Sequence, residues 1–350
     1  MIPAVLFTND VVATLNHIIK SGNYSLVAVL VDDNTRCHVL PLVADVLEGA
    51  PVIEMHAGEE NKSLETLSHV WQELEKCGAT RHSLLVNLGG GVVTDLGGLA
   101  AATYKRGMSF VNVPTTLLAA VDAAVGGKTG INFMGLKNEI GVFAPAQAVI
   151  VSTIYFKTLP HEQLKSGYAE MLKHAMLRGR DEFYDLLDFD FESYDQDSLL
   201  EKLQSSIKVK EQIVACDPLE RGPRKALNLG HTVAHAFESM SLARGSGVAH
   251  GYAVAWGLVV EAVVSHLTMG FPSEDLYALA HFVKSHYGAF HITCNHYDTL
   301  LELMRHDKKS CKGEINCTLL TSCGNYKVDN NVDAETMKSA LDIYRDLFGI

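Results

Sequence analysis

The chain has 350 residues, of which 47% are hydrophobic, and its formal net charge at pH 7 is −12. This length predicts two domains, and the acidic balance argues against nucleic-acid and anionic-membrane partners. The seven cysteines form no C-x-x-C pair, which argues against a disulfide framework and a thiolate zinc site. Because no basic segment followed by an apolar one opens the chain, and the apolar run AVIVSTIYF is too short to span a bilayer, we expect a cytosolic protein.

Residues 1–160 alternate between short β-branched runs and helical patterns. The runs SLVAVLV, SLLVNLGGG, MSFVNVP and AVIVS are typical of strands, and LETLSHVWQELEKCG is typical of a helix. This alternation predicts an α/β domain with a parallel sheet, whose ligands bind beyond the carboxyl ends of the strands. Residues 161–350 are mainly helical by their apolar spacing, and INCTLL and NYKVD are candidates for a small strand pair.

The segment NLGGGVVTDLGG, residues 87–98, follows a predicted strand and opens a helix. Its consecutive glycines favour close approach of a phosphate to the backbone. The spacing is not G-x-G-x-x-G, so the dinucleotide fingerprint is absent, but a phosphate site is still favoured over a tight turn without a ligand. In VDDN, Asp32 and Asn34 could accept ribose hydroxyls, but from the residues alone we favour turn formation.

The segment GGKTG resembles the end of a P-loop. That motif requires a glycine six positions before the lysine, and this position is Asp122. A carboxylate there would repel the phosphates of ATP, so we disfavour ATP binding. The glycines still bring Lys128 close to some ligand, and GLKNEIG supplies Lys137 and Asn138 downstream.

Histidines in the second half have the spacing of metal ligands. In NLGHTVAHAFE, His231 and His235 are four residues apart, and His250 opens another apolar helix. Thr232 stands where the zinc-protease motif needs glutamate, which disfavours peptide hydrolysis. With Glu170 in GYAEMLKHA, a metal site and ordinary packing are about equally favoured.

Motifs along nearly the whole chain resemble those of the sugar phosphate cyclases and, within them, the 3-dehydroquinate synthase family. They are VDDN, GEENKS, GGGVVTDLGG, TYKRG, VPTTLLAAVDAAVGGKTGIN, LKNEIGVF, TLP, GYAEMLKHA, DPLERGPRKALNLGHTVAHAFE and HGYAVAWG. The resemblance implies a Rossmann-like α/β NAD-binding domain, residues 1–160, and a helical metal- and substrate-binding domain, residues 161–350. It also implies a homodimer.

The resemblance further implies roles for individual residues. Those similar to NAD-binding positions are Asp32, Asn34, Glu59, Lys62, Gly89, Gly90, Gly91, Asp95, Thr115, Thr116, Asp122 and Thr158. Those similar to the ligands of a zinc or cobalt ion are Glu170, His231 and His250. Those similar to the substrate shell are Arg106, Lys128, Lys137, Asn138, Lys173, Lys210, Arg224, Asn228, His235, and either Lys308 or Lys309. Glu220 and His235 resemble the proton-transfer positions, and Arg106 and Lys128 are counted with them as catalytic candidates.

The implied activity is a phosphate-eliminating lyase of the shikimate pathway, which leads to aromatic amino acids. It would convert 3-deoxy-D-arabino-heptulosonate 7-phosphate to 3-dehydroquinate by transient NAD oxidation, elimination, re-reduction, ring opening and aldol closure. The alternatives are a cyclase of another sugar phosphate, a metal-dependent alcohol dehydrogenase, and a non-enzymatic NAD-binding module. The bases of the substrate shell disfavour the dehydrogenase, and the ligand set disfavours the module.

Overall fold

This computed structural model describes residues 3–306 and 314–350, and the chain divides into two compact units. The first unit is Met1–Pro160 with Asp195–Ile207, and the second is His161–Tyr194 with Lys208–Ile350. The sequence did not indicate that residues 195–207 pack with the first unit. An uninterrupted domain on either side of residue 160 therefore stays a prediction.

The first unit is an α/β domain with a parallel sheet. Its strands and helices in chain order are β1 (Ala4–Phe7), α1 (Val11–Gly22), β2 (Val27–Asp32), α2 (Asp33–His38), β3 (Val52–Met55), α3 (Leu64–Lys76), β4 (Leu84–Gly89), α4 (Gly91–Thr103), β5 (Ser109–Pro114), β6 (Lys128–Phe133), β7 (Leu136–Phe143) and β8 (Ala148–Val151). Short 3-10 helices cover Leu40–Leu47, Glu59–Asn61, Tyr104–Arg106 and Ile154–Thr158, and a π-helical turn covers Ala119–Ala123.

The sheet order is β1-β8-β5-β4-β2-β3, and neighbouring strands are parallel. The central strands are rich in Val and Leu and are buried throughout, because helices cover both faces of such a sheet. After β3 at one edge, the chain crosses β2 to form β4. The gap between β2 and β4 is therefore a topological switch point, where ligands of open α/β sheets bind.

A two-stranded antiparallel hairpin, β6–β7, extends from the first unit. Sequence reasoning missed it, because every residue of β7 is exposed and its pattern has no buried face to mark it as a strand. Gly130 and Gly141 are paired, and a Cβ on Gly141 would lie 2.0 Å from the oxygen of Thr129. Glycine at this position therefore permits the two backbones to approach.

The second unit is helical, with one strand pair at the place predicted from INCTLL and NYKVD. Its elements in chain order are α5 (His161–Arg178), α6 (Arg180–Leu187), α7 (Gln196–Cys216), α8 (His231–Ala243), α9 (His250–Met269), α10 (Ser273–Tyr287), α11 (Tyr297–Arg305), β9 (Ile315–Ser322), β10 (Asn325–Val332) and α12 (Ala334–Phe348). The first residues of α7 belong to the first unit. A 3-10 helix, Pro223–Asn228, precedes α8, and another, Cys294–His296, precedes α11.

Helix α9 is the central helix of the second unit and packs against α5, α8, α10 and α12. It has the length and apolar composition of a membrane-spanning helix, but it is largely buried within this unit, which accounts for its apolar surface. A Cβ on Gly257 would lie 2.1 Å from the oxygen of Gly230. Glycine at position 257 thus lets α9 approach the start of α8 closely.

Candidate metal centre and nucleotide-binding edge

Three side chains that can bind a metal ion converge in the second unit. Glu170 lies within α5, His231 is the first residue of α8, and His250 is the first residue of α9. Oε1 of Glu170 lies 3.3 Å from Nε2 of His231 and 3.3 Å from Nε2 of His250. Two ligand atoms that are each about 2.0 Å from a tetrahedral zinc ion are themselves about 3.3 Å apart. The spacing therefore fits a metal centre.

Each imidazole is oriented by a partner at its other ring nitrogen. Nδ1 of His231 lies 3.0 Å from the backbone oxygen of Leu229, which can only accept, so Nδ1–H donates. Nδ1 of His250 lies 3.4 Å from Oε1 of Glu238. With a proton on each Nδ1, each Nε2 can present a lone pair toward Glu170, as metal binding requires.

The charges of this centre favour a cation. Burial opposes ionisation of Glu170, but the Lys173 ammonium and the His231 imidazole hold the pKa of this carboxyl well below its usual range. Burial, with a smaller effect from Lys173, lowers the pKa of His231 to about 4. Burial also lowers the pKa of His250, but Glu170 and Glu238 outweigh it and raise this pKa to about 10. An ionised carboxylate and a neutral imidazole are thus in place at neutral pH.

Lys173 occupies the other side of the Glu170 carboxylate. Its Nζ contacts Oε2 of Glu170, three residues earlier on α5, and both side chains are almost fully buried. Within residues 3–306 and 314–350, neither oxygen of Glu170 accepts a well-aligned hydrogen bond. A bound metal ion would use the lone pairs of Oε1.

The turn between α7 and α8 carries more predicted site residues and is held together by Asp217. The Asp217 carboxylate accepts backbone N–H groups of Arg221, Gly222 and Arg224, at 3.0, 2.6 and 3.3 Å. These bonds, the one from Arg221 first, outweigh burial and lower the pKa of Asp217. The Arg224 side chain is 2% exposed, and its Nη1 donates to the oxygen of Pro218 at 2.7 Å.

The same turn places a proton-transfer candidate beside an amide. Nδ2 of Asn228 donates to Oε1 of Glu220 at 3.3 Å, and Glu220 has a left-handed backbone with φ of 57°. His235 is half-buried on α8, and its ring centre lies 5.6 Å from that of His231. Lys210 is a buried residue of α7. Lys308 and Lys309 lie outside the described residues.

In the first unit, β2 and β4 end at the same level on the two sides of the switch point. Asp32 ends β2, and Gly89 ends β4, with Leu30 and Asn87 paired two residues earlier on each strand. No side chain caps the start of α4, since its N-cap residue is Gly90. The N–H groups of this helix end are therefore available to an anion.

Side chains lie close to the glycines between β4 and α4. A Cβ on Gly89 would lie 2.5 Å from the Val93 side chain, and a Cβ on Gly90 would lie 3.2 Å from Thr116. Asp32 acts as the N-cap of α2 and accepts the N–H of Thr35 at 2.7 Å. Turn formation is thus observed for Asp32, and its role toward ribose stays a prediction.

A buried lysine links three chain segments near this edge. Nζ of Lys62 lies 2.5 Å from Oδ2 of Asp95 and 2.5 Å from Oδ1 of Asn138. Burial raises the pKa of Asp95, Lys62 opposes this, and the nearby carboxylates of Asp122 and Glu59 raise it further. The predicted cofactor positions Lys62, Asp95, Asp122 and Glu59 therefore form one charged cluster, which also includes Asn138.

The other predicted residues of the first unit are more scattered. The N–H of Thr115 donates to the oxygen of Gly89 at 3.0 Å, which holds the end of β5 against the end of β4. Thr158 is exposed and ends a 3-10 helix. Lys128 and Lys137 are exposed on the hairpin, as Asn34 is on α2. Arg106 is also exposed, with a left-handed φ of 68°.

Sequence reasoning missed three carboxylates that organise the metal centre and its turn: Glu238, Glu261 and Asp217. A usable signal existed for Glu261, which is the only Asp, Glu, Lys or Arg in α9. Asp217 opens the motif DPLERG, but its use of backbone partners has no sequence signature. Such contacts become visible only once the turn is folded.

Comparison with known families accounts for both halves of the chain. The family model described as 3-dehydroquinate synthase N-terminal matches residues 52–166, and the one described as 3-dehydroquinate synthase C-terminal matches residues 167–310. The 3-dehydroquinate synthase of Parabacteroides distasonis is 45% identical over 348 residues, which cover 99% of each chain.

Solved structures show the same fold. A 2-deoxy-scyllo-inosose synthase complexed with carbaglucose-6-phosphate, NAD+ and Co2+ has a TM-score of 0.83 and 24% identity, covering 96% of this chain and 95% of the other. The 2-epi-5-epi-valiolone synthase from Streptomyces hygroscopicus, with NAD+ and Zn2+ bound, has a TM-score of 0.83 and 23% identity, covering 98% and 97%. The fold is thus that of sugar phosphate cyclases. The chain belongs to the 3-dehydroquinate synthase family, which confirms the resemblance given above.

Proposed function

We propose that the protein converts 3-deoxy-D-arabino-heptulosonate 7-phosphate to 3-dehydroquinate and inorganic phosphate. The observation that carries the proposal is the convergence of Glu170, His231 and His250 in a chain that matches both halves of the family. The reaction eliminates phosphate without net redox change, so we class the protein as a lyase. We place it in the cytoplasm.

The cofactors in this proposal are NAD and a divalent metal ion, zinc or cobalt. Two solved structures of the same fold contain NAD+, one with Co2+ and one with Zn2+. The switch point and the uncapped start of α4 fit a dinucleotide phosphate, and the 3.3 Å spacings fit a metal. When bound, NAD supplies a temporary hydride acceptor, and the metal supplies positive charge for a substrate oxygen.

In this proposal the protein's own residues hold and orient the metal. Glu170, His231 and His250 are the ligands, and Leu229 and Glu238 keep the imidazoles in the required tautomer. Lys173 neutralises the second oxygen of Glu170, so the carboxylate stays ionised although it is buried. Glu170 and His231 are therefore in their metal-binding forms at neutral pH, and His250 must release one ring proton when the ion binds.

The substrate carries a carboxylate and a phosphate, and both need positive partners in a protein whose net charge is −12. In the second unit, Lys173, Lys210 and Arg224 are buried cations that we assign to this shell. A guanidinium presents a planar fork of N–H donors that suits carboxylate and phosphate oxygens. Lys128, Lys137, Arg106 and Asn138 are the first unit's members of the proposed shell.

Few proton-transfer groups are required. During elimination the proton on C6 leaves, its electron pair forms the new double bond, and the C–O bond to phosphate breaks. The departing phosphate of the substrate can accept this proton. We assign later proton transfers of ring opening and closure to His235 and Glu220, and the hydrogen bond from Asn228 fixes Glu220.

We propose a homodimer as the state of association. The hairpin β6–β7 exposes Phe133, Leu136, Ile140 and Phe143, and Met134 at its tip is 86% exposed. A second copy related by a two-fold axis can cover the same exposed apolar residues on both chains. Light scattering of the purified protein tests this state.

The decisive experiment supplies the heptulosonate phosphate to metal-loaded protein with a catalytic amount of NAD. We expect one phosphate per substrate consumed, 3-dehydroquinate as the product, and no accumulated NADH. A cyclase of another sugar phosphate would release no phosphate here but would turn over a hexose or heptulose phosphate. An alcohol dehydrogenase would instead accumulate NADH in proportion to the alcohol supplied.

A further inference from the structure

Helices α8 and α9 each carry one metal-ligand histidine and one buried glutamate. On α8 these are His231 and Glu238, and on α9 they are His250 and Glu261. Glu238 is 6% exposed and Glu261 is fully buried. Burying a carboxylate among apolar helices is unfavourable unless it has specific partners, so both invite a functional explanation.

Glu238 supports the histidine of the opposite helix directly. Its Oε1 lies 3.4 Å from Nδ1 of His250, while Nε2 of His250 faces Glu170. His250 begins α9, where no side chain caps the helix. A carboxylate on the rear nitrogen thus limits rotation of the ring and directs its lone pair to the metal position.

Glu261 supports the other histidine through the backbone. Its Oε2 accepts the N–H of Gly230 at 2.8 Å, and its Oε1 accepts the N–H of Val233 at 3.3 Å. These are N–H groups at the start of α8, where a negative charge is stabilised by the helix dipole. Gly230 directly precedes His231, and it has a left-handed φ of 80°.

The same turn also fixes the His231 ring. The oxygen of Leu229 accepts Nδ1–H of His231, so ring orientation follows the backbone between Leu229 and His231. A Cβ on Gly257 would lie 2.1 Å from the oxygen of Gly230, which means that α9 lies directly against this backbone. The hydrogen bonds of Glu261 to the turn before His231 therefore lie where α9 and this backbone are tightly packed.

We propose that Glu238 and Glu261 are positioning residues of the metal centre, each on one helix and each fixing the histidine ligand of the other. Neither touches the metal position itself. The inference rests on the proposed metal centre and adds to it the reason why two separate helices present their ligands in one geometry.

The test measures affinity for Zn2+ and Co2+ by competition with a chelating dye, together with the visible absorption of the Co2+-loaded protein. We expect Glu238→Ala to weaken binding about 10- to 100-fold, and Glu238→Gln, which keeps an acceptor for Nδ1–H, to weaken it less. Glu261→Gln places an amide against one of two N–H donors, and we expect a weakening of about tenfold with a changed Co2+ spectrum.

Ser265→Ala is the matched control. Ser265 is fully buried on α9, one turn from Glu261; its Oγ donates to the backbone oxygen of Glu261 at 2.7 Å and accepts the N–H of Leu320 at 3.0 Å. This variant loses stability but leaves the Glu261 carboxylate on the His231 turn, so its metal affinity and spectrum should equal those of the wild type. Unchanged affinity and spectra in the glutamate variants would overturn the inference.

Failure of the underlying proposal gives a different result. If the wild-type protein binds neither Zn2+ nor Co2+ at one ion per chain, the metal centre itself is wrong, and the inference falls with it. If Glu261→Gln does not fold, the metal affinities of wild type, Glu238→Gln and Glu238→Ala still test the inference, and they should decrease in that order. Equal affinities of these three proteins contradict the positioning role.

Discussion

Lys173 contacts one oxygen of the Glu170 carboxylate, while the imidazoles of His231 and His250 approach the other oxygen. The carboxylate thus has an ion-pair side, Oε2, and a ligand side, Oε1. Both Lys173 and Glu170 are almost fully buried, so neither charge is screened by water. The ion pair keeps Glu170 ionised when no metal is bound.

Lys173→Met should destabilise the metal-free protein. Removal of one partner from a buried ion pair leaves an uncompensated charge and costs about 3–5 kcal/mol. Metal loading should restore part of this stability, because the ion then neutralises Glu170. Urea unfolding with and without Zn2+ measures both effects. An equal loss of stability in the two conditions would show that the lysine acts independently of the ligand site.

Glu170→Ala should abolish stoichiometric metal binding. The variant loses one of three proposed ligands, and its two imidazoles remain beside an unneutralised Lys173. We expect elemental analysis to fall from about one ion per chain to a trace, with loss of phosphate release. Glu162→Ala, an exposed position of the same helix, is the control and should retain both. Full metal content in Glu170→Ala would contradict the assignment.

Lys62→Met should weaken NAD binding and lower stability. The change leaves Asp95 half-buried near Asp122 and Glu59, without its cation, and frees the side chain of Asn138. We expect a loss of about 3 kcal/mol in the free energy of unfolding. Lys76→Met removes an exposed pair with Glu73 and should change stability by less than about 1 kcal/mol. Chemical unfolding and a fluorescence titration with NAD compare the two variants.

The Asp217 carboxylate should make the turn before α8 sensitive to acid. Its pKa is lowered in the folded protein, so it stabilises the fold fully above its unfolded value of 3.8 and loses this effect as pH falls through the lower, folded value. Asp217→Asn should therefore melt earlier than the wild type at pH 7, and the difference should shrink below pH 3.8. A difference in melting temperature that stays constant down to pH 2 would be inconsistent with this role, and thermal unfolding across the range measures it.

Gly257→Ala should disturb the contact between α8 and α9. A Cβ at this position would lie 2.1 Å from the backbone oxygen of Gly230, and a backbone atom cannot rotate away. We expect a loss of at least about 1–3 kcal/mol and weaker metal binding, because His231 follows Gly230 directly. Gly247→Ala meets only the flexible Leu242 side chain at 3.3 Å and should be nearly neutral. Wild-type melting and metal affinity in Gly257→Ala would refute the expected clash.

The α/β first half and the helical second half were predictable because their patterns are strong. Buried parallel strands such as β4 are continuous apolar runs, and Gly89 marks the turn into α4. The convergence of Glu170, His231 and His250 followed from family resemblance, since spacing alone left a metal site and ordinary packing equally favoured.

Other features have no local pattern in the sequence. The hairpin strand β7 is exposed along its whole length, so burial leaves no periodicity in it. The packing of residues 195–207 with the first unit depends on contacts distant in sequence, such as the hydrogen bond of 2.7 Å from Asn9 to Asp197. From sequence alone, Glu238 and Asp217 cannot be told from other acidic residues, because their hydrogen-bond partners lie near them only in the folded protein.

The buried carboxylate of Glu261, near the middle of α9, also opposes insertion of this helix into a membrane. By length and apolar composition alone, residues 250–269 match a membrane-spanning segment for as long as the rest of the second unit does not cover them. A charged residue near the centre of such a segment raises the free energy of insertion by about 3 kcal/mol. Glu261 therefore favours release of this segment into water, where the helix can find its packing partners.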